Sequence, residues 1–255
     1  VPLQILELPP FAWALLGFAA VLIGLSKTAL PGVNTLSIAI FAAFLPPKES
    51  TAALLLLLIV GDIFALISYR RHADWKTLIK LIPAVAGGLG VGALFLAFAD
   101  DTWVRRAIAV ILLALVLYAV WQRIRTHKNP TKPRQQTEGS AIARAGYGSL
   151  GGFTTMVANA GGAPMSLYFL SAGFPVKAFL GTAAWFFAII NLVKVPIMAS
   201  LGLFIPEVLS LALLTVPGVV VGAILGRWIA SRIQQRSFEY AILLFTALGA
   251  IYLFF

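Results

Sequence analysis

The chain has 255 residues, of which 60% are hydrophobic and 11% charged, and its mean hydropathy is +0.96. No soluble core of this size could bury so much apolar surface, so the main solvent must be lipid. The net charge of +10 sits mainly at the ends of apolar runs, where it marks the cytoplasmic face and meets membrane lipids rather than nucleic acid, and the absence of cysteine removes disulfides, thiolate metal sites and cysteine nucleophiles.

A bilayer core takes about 20 apolar residues per helix. The first half offers apolar elements at Pro10–Ser26, Leu30–Leu45, Thr51–Tyr69, Trp75–Ala99 and Trp103–Trp121. The stretch before Lys27 lacks a basic n-region and a small-residue cleavage site, so it is expected to be a mature membrane segment rather than a signal peptide. Arg123–Arg144, with Asn129-Pro130-Thr131-Lys132-Pro133-Arg134 inside it, reads as a flexible polar linker. Then come Ala145–Val157, Ala163–Ala172, Val176–Leu201, Pro206–Ile229 and Phe238–Phe255. In each half the first two elements are short and rich in Gly, Pro, Ser, Thr and Asn, so each pair reads equally as two short spans, a broken helix or a re-entrant hairpin. The expected fold is therefore an all-α integral membrane protein with about eight to ten transmembrane or re-entrant elements. Residues 1–125 form a first repeat, 126–142 a cytoplasmic linker and 143–255 a second repeat.

The repeat rests on particular residues. Leu45-Pro46-Pro47-Lys48 is echoed by Phe174-Pro175-Val176-Lys177, and that register sets Gly32 opposite Gly161 and Asp62 opposite Asn191. Farther on, Pro83, Gly88 and Gly92 match Pro217, Gly222 and Gly226, with Tyr118 opposite Tyr252. Small residues four apart also let helices pack closely in lipid, which is sufficient reason for the glycines. Charge then orients the copies. Arg70, Arg71, His72, Lys76 and Lys80 follow the third element, whereas the equivalent connection, Leu201–Glu207, carries no Lys or Arg. The connection after the fourth element begins Asp100-Asp101, with Arg105 and Arg106 just beyond, while its counterpart carries Arg227, Arg232 and Arg236. Equivalent loops thus face opposite sides, the repeats are inverted, and both termini are expected outside. Inverted repeats with discontinuous elements at corresponding positions are a signature of secondary transporters with a midplane site.

Two polar breaks carry the candidate chemistry. In Gly24–Thr35, Pro31 and Gly32 interrupt the helix, free backbone N–H groups and start a new helix whose N-terminus suits an anion; Lys27, Thr28 and Asn34 add donors. Lys27 reads equally as a lysine reaching the headgroups. The matching segment, Gly151–Pro164, places Thr155, Asn159, Gly161 and Gly162 in an otherwise apolar region, where unsatisfied backbone is tolerated only beside protein or a cavity. Pro164 fits the first turn of a helix and needs no chemical role.

The segments GLSKTALPG and GGFTTMVANAGGAP, with LGTAAWFFAIINLVKVP after the latter, resemble the sulfite exporter TauE/SafE family. The resemblance implies a bacterial permease of the cytoplasmic (inner) membrane for sulfite, sulfoacetate or related sulfur-containing anions. Lys194 lies deep in the eighth element, with Asn191 on the same face and Thr182 farther along it. A cation at that depth is costly and should meet a cavity or a partner. Asn191 and Lys194 are therefore candidates for the substrate, and a structural ion pair of Lys194 with Asp62 is the alternative. Asp62 is the candidate for proton coupling, which a nearby lysine would oppose. His72 lies in a basic loop and His127 in the linker, so no metal site is expected, nor any cofactor.

These readings converge on a secondary transporter that exports a small, sulfur-containing oxyanion, with a possible homo-oligomeric assembly. An anion channel is the alternative, and an intramembrane enzyme a remote one, since no nucleophile with a base and no clustered carboxylates are seen. The inverted topology predicts that single cysteines introduced into this cysteine-free chain react from outside at Leu203 and only after permeabilisation at Ala73. Labelling of both from one side would contradict it.

Overall fold

The computed structural model describes residues 8–108, 110, 111, 113, 114, 117, 141–234 and 237. Most of the linker, up to residue 140, and the last expected element, Phe238–Phe255, lie outside the described residues, as does most of Trp103–Trp121 beyond a helical run over 101–108, whereas residues 141–144 of the expected linker are helical and begin α6. Regular structure among the described residues is helical: α1 (Pro10–Thr28), α2 (Asn34–Phe44), α3 (Pro47–Tyr69), α4 (Trp75–Phe98), α5 (from 101), α6 (Ala141–Ala158), α7 (Gly162–Ser171), α8 (Val176–Ser200) and α9 (Pro206–Ala230). Short 3-10 turns, Pro31–Val33 and Arg70–His72, precede α2 and follow α3. Proline opens α1, α3 and α9, where its missing N–H leaves no helical bond unmade. Asp74 caps α4 by accepting from the Thr77 N–H at 3.1 Å.

Among the described residues, five segments are long and apolar enough to cross a membrane: α1, α3 with its following turn, α4, α8 and α9. Their outer faces present Ile67, Phe98, Leu192 and Leu213 more than half exposed, a belt that only lipid makes tolerable. The fold is the all-α membrane protein expected from composition.

The short polar pairs resolve into hairpins. Along the first, Ser37 donates to the Ala19 carbonyl at 2.9 Å and the Phe44 ring lies against Phe11, so α2 returns antiparallel beside α1 toward its start. Residues 29–33 are the unwound section of this returning arm. Along the second, Tyr168 packs on Tyr147 and Met165 on Gly151, so α7 returns in the same way beside α6. The tips meet, with Pro31 O against Gly162.

The halves exchange their fourth helices. Gly24 of α1 lies against the Val219 and Ala223 backbone of α9, as Gly152 of α6 lies against that of Val85 and Leu89 in α4. Gly88 of α4 meets Ser149 and Phe153, as Gly222 of α9 meets Val21 and Leu25. One constant shift carries α4 onto α9 and another carries α1 onto α6, so the two crossings are copies related by a pseudo-two-fold. The shift from α1 to α6 sets Lys27 opposite Thr155 and is one residue shorter than the shift taking Asp62 to Asn191. The second hairpin accommodates that extra residue. The glycines act here as close-packing residues, because a Cβ at either site would fall on the partner's backbone.

Gly87 and Gly88 are neighbours with opposite surroundings. A Cβ at Gly87 meets nothing within 4 Å, whereas at Gly88 it strikes the Ser149 carbonyl. Gly87→Ala should leave the melting temperature unchanged or raise it by the helix-propensity gain of about 0.5–1 kcal/mol. Gly88→Ala should lower it, since overpacking costs about 1–3 kcal/mol. Equal melting of the two variants would refute the close crossing.

Candidate functional site

Beside the two breaks lies a cleft of about 440 Å³, counting its solvent-open part. Its wall includes Lys27, Asn34, Asp62, Thr155, Asn159, Gly162 and Asn191, all singled out by sequence. Gly162 is the first residue of α7, which has no side-chain N-cap, and Asn34 opens α2 directly after the 3-10 turn, its own N–H donating back to Pro31 O, so the positive end of α2 lies at the turn that begins with Pro31, also in the wall. The carbonyl ends of the preceding helices are covered instead. Tyr69 Oη donates to Thr28 O at 2.9 Å, and Thr51 Oγ1 donates to Val157 O at 3.1 Å.

The charged centre is Lys27 with Asp62. Lys27 Nζ lies 2.7 Å from Asp62 Oδ1, their side chains 9% and 3% exposed. At that burial the pair is weakly screened, and removing either partner strands the other. Asn191 Nδ2 donates to Asp62 Oδ2 at 2.6 Å, and the Lys27 ammonium also stands 4.5 Å from the Phe187 ring centroid, in cation–π range. Asp62 and Asn191 are repeat-related and touch, which places them on the pseudo-two-fold. Lys27–Asp62 in one half therefore corresponds to Thr155–Asn191 in the other, so the charge on the cleft wall is confined to one side of the axis.

Lys194 is placed differently from either sequence reading. It is fully buried and is not part of the cleft wall. Its ammonium donates to Thr155 O at 2.6 Å and to Asn159 Oδ1 at 2.5 Å, covering the carbonyl end of α6. The ion pair of Asp62 is made with Lys27 on α1, because α3 turns that carboxylate toward α1, while Lys194 faces the α6 break. Asn159 takes φ 53°, a left-handed conformation that asparagine tolerates better than most residues. There its carbonyl accepts from Asn34 Nδ2 at 3.1 Å and its own Nδ2 donates to Thr51 O at 2.9 Å.

Four other residues named in the sequence analysis are buried outside the wall. Thr28 donates to Gly24 O and Ala223 O, each at 3.0 Å, pinning α1 to α9. Gly32 lies within the 3-10 turn, and Gly161 packs on Thr155 and the Gly151 carbonyl. Thr182 accepts from the Asp74 N–H at 2.9 Å, away from the cleft. The wall also contains Pro31, which the sequence marked as a helix break, and Ser26, Leu58, Ala183, Ala184 and Phe187, which were not singled out individually.

The model of the sulfite exporter TauE/SafE family matches residues 16–253. The chain belongs to that family. No curated protein and no solved structure matches it. The TauE/SafE segment LGTAAWFFAIINLVKVP acquires a physical reading: Gly181, Thr182 and Trp185 seat the loop after α3, since Trp185 Nε1 donates to Arg70 O at 3.2 Å and a Cβ on Gly181 would strike that loop's backbone. On the same helix, Ala183, Ala184, Phe187 and Asn191 form cleft wall, and Lys194 holds the α6 break.

The two lysines should behave oppositely in combination with Asp62→Asn. Lys27→Met alone strands a buried carboxylate and should destabilise by about 3–5 kcal/mol, and adding Asp62→Asn should restore much of that. Lys194→Met should also destabilise, but adding Asp62→Asn should not rescue it. Melting temperatures of the single and double variants measure both couplings; rescue of Lys194→Met would return Lys194 to the Asp62 pair.

Proposed function

We propose that the protein is a secondary transporter that exports a small sulfur-containing oxyanion across a bacterial cytoplasmic membrane, and that the cleft between the two breaks is its substrate site. The observation that carries this reading is the cation Lys27 on a cleft wall bordered by the N-terminus of α7 and by the 3-10 turn that opens α2, a combination suited to negative charge. Lys27, Asn34, Thr155 and the start of α7 bind the anion. Asn191 positions Asp62, and Lys194 with Asn159 holds the break open.

Asp62 is the coupling residue. An incoming anion competes with the carboxylate for Lys27, and a carboxylate deprived of its counter-ion in a dry cleft is least costly when it takes up a proton. Alternating access is a displacement of the α4–α6 pair against the α1–α9 pair. The exchange of fourth helices makes this a better division than the repeat-against-repeat rocking that inverted topology alone implies.

The test is thermal melting of the purified protein with sulfite, sulfate, thiosulfate, sulfoacetate and carboxylates, with cations as controls. A ligand of the native state present at a hundredfold its Kd stabilises by about 2.7 kcal/mol. A sulfur oxyanion should raise the melting temperature of the parent but not of the Lys27→Met/Asp62→Asn variant, and should be driven against its gradient in proteoliposomes by an imposed proton gradient. Stabilisation by none of these anions, or undiminished stabilisation of the double variant, would overturn the assignment.

A further inference from the structure

The cleft is not lined by donors alone. Asn34 and Asn191 are 7% and 1% exposed, both line it, and the side-chain oxygen of each has no hydrogen-bond partner in the protein. Neither amide can be turned around to remove this. Asn34 Nδ2 is committed to the Asn159 carbonyl and Asn191 Nδ2 to the Asp62 carboxylate, so a flip would set oxygen against oxygen in both cases. Two acceptors are thus fixed in a site that also presents a cation. Each oxygen is itself closed to water, so only a ligand seated against the wall with a donor of its own can satisfy it.

Charge gives an independent constraint. In their ordinary ionisation states the buried groups Lys27, Asp62 and Lys194 leave one net positive charge. While Asp62 is ionised, the state the anion meets on entry, one negative charge balances it, whereas a second would be buried without a counter-ion, at high cost.

We infer that the site selects an oxyanion that is singly charged and still carries a donatable proton, hydrogensulfite rather than the sulfite dianion, with its charge on Lys27 and its proton donated to Asn34 Oδ1 or Asn191 Oδ1. This rests on the assignment of the cleft as the oxyanion site and adds the protonation state of what enters it. The transporter then discriminates sulfite from sulfate by the proton as well as by size, because sulfate at neutral pH offers two charges and no donor. A polar site built to receive a hydroxyl or N–H rejects analogues that lack it far more strongly than an apolar pocket rejects an extra methylene.

The test uses the unmodified full chain and two monoanions of the same shape and charge. Sulfamate carries N–H donors and methanesulfonate carries a methyl group in their place, and both keep a single charge across neutral pH. Calorimetric or melting titrations should give sulfamate at least about tenfold the affinity of methanesulfonate. Sulfite affinity should fall about tenfold per pH unit once the pH exceeds the dissociation of hydrogensulfite, since only the competent fraction binds. Methanesulfonate, which does not titrate, reports any change in the protein over the same range. Equal binding of the two monoanions, or sulfite affinity that holds or rises with pH, would overturn the inference while leaving the cleft as an oxyanion site. Failure of sulfite, sulfamate and methanesulfonate to bind at any pH would overturn both.

Discussion

Asn159 ties together the parts of the molecule that the helix breaks would otherwise leave apart. In lipid, a backbone group released by an unwound segment has no water to turn to and must be satisfied by protein. Asn159 uses every polar group it has for this: its N–H donates to Thr155 O, its carbonyl accepts from Asn34, its Oδ1 accepts from Lys194 and its Nδ2 donates to Thr51 O. One residue in a left-handed conformation thereby joins α6 to α2, α3 and α8. The cleft exists because these bonds hold the second break open beside the first. Lys194 belongs to the same construction, since an ammonium over the carbonyl end of α6 removes negative potential that would otherwise face an anion.

The pseudo-two-fold makes the site's asymmetry informative. Two related halves would by default supply equal chemistry, yet the position of Lys27 is held by Thr155 in the other half and that of Asp62 by Asn191. The neutral pair keeps the shape and hydrogen-bonding of the charged pair without its charge. A second Lys–Asp pair would add desolvation cost with no net charge to attract a substrate. One charged pair thus concentrates the charge of the wall on Lys27 and Asp62.

Much of this was legible in the sequence. Gly, Pro, Asn and Thr in an apolar context have few explanations in a bilayer, and they located both breaks and most polar members of the wall. The Pro46 and Pro175 echoes gave the register that sets Asp62 on Asn191, which do touch. Rotation about helix axes was not legible. Spacing puts Asn191 and Lys194 on one face, but it does not reveal that Asp62 turns to Lys27 while Lys194 turns to the α6 break. Phe187, Ala183 and Ala184 look like lipid-facing residues until the neighbouring hairpins are in place. Glycine spacing announced close crossings without naming the partners, so the exchange of fourth helices stayed hidden, as did the one-residue difference between the hairpins.

The kinds of contact within and between helix pairs differ in a way that bears on movement. Inside α1–α9 and α4–α6 the backbones touch at glycines, and a packed crossing of that kind cannot slide without atoms colliding. Contacts from α6 to the other helices include a few discrete hydrogen bonds: Thr51 to Val157, Asn159 to Thr51, Asn34 to Asn159 and Lys194 to Thr155. A hydrogen bond exchanged for one to water or substrate changes the free energy by only about 0.5–1.5 kcal/mol. The polar bonds between the pairs are therefore more readily exchanged than the backbone contacts within them, provided something polar enters to replace the bonds that open. Most residues in those bonds border the cleft or lie directly behind its wall, so whatever occupies it stands where the replacement is needed.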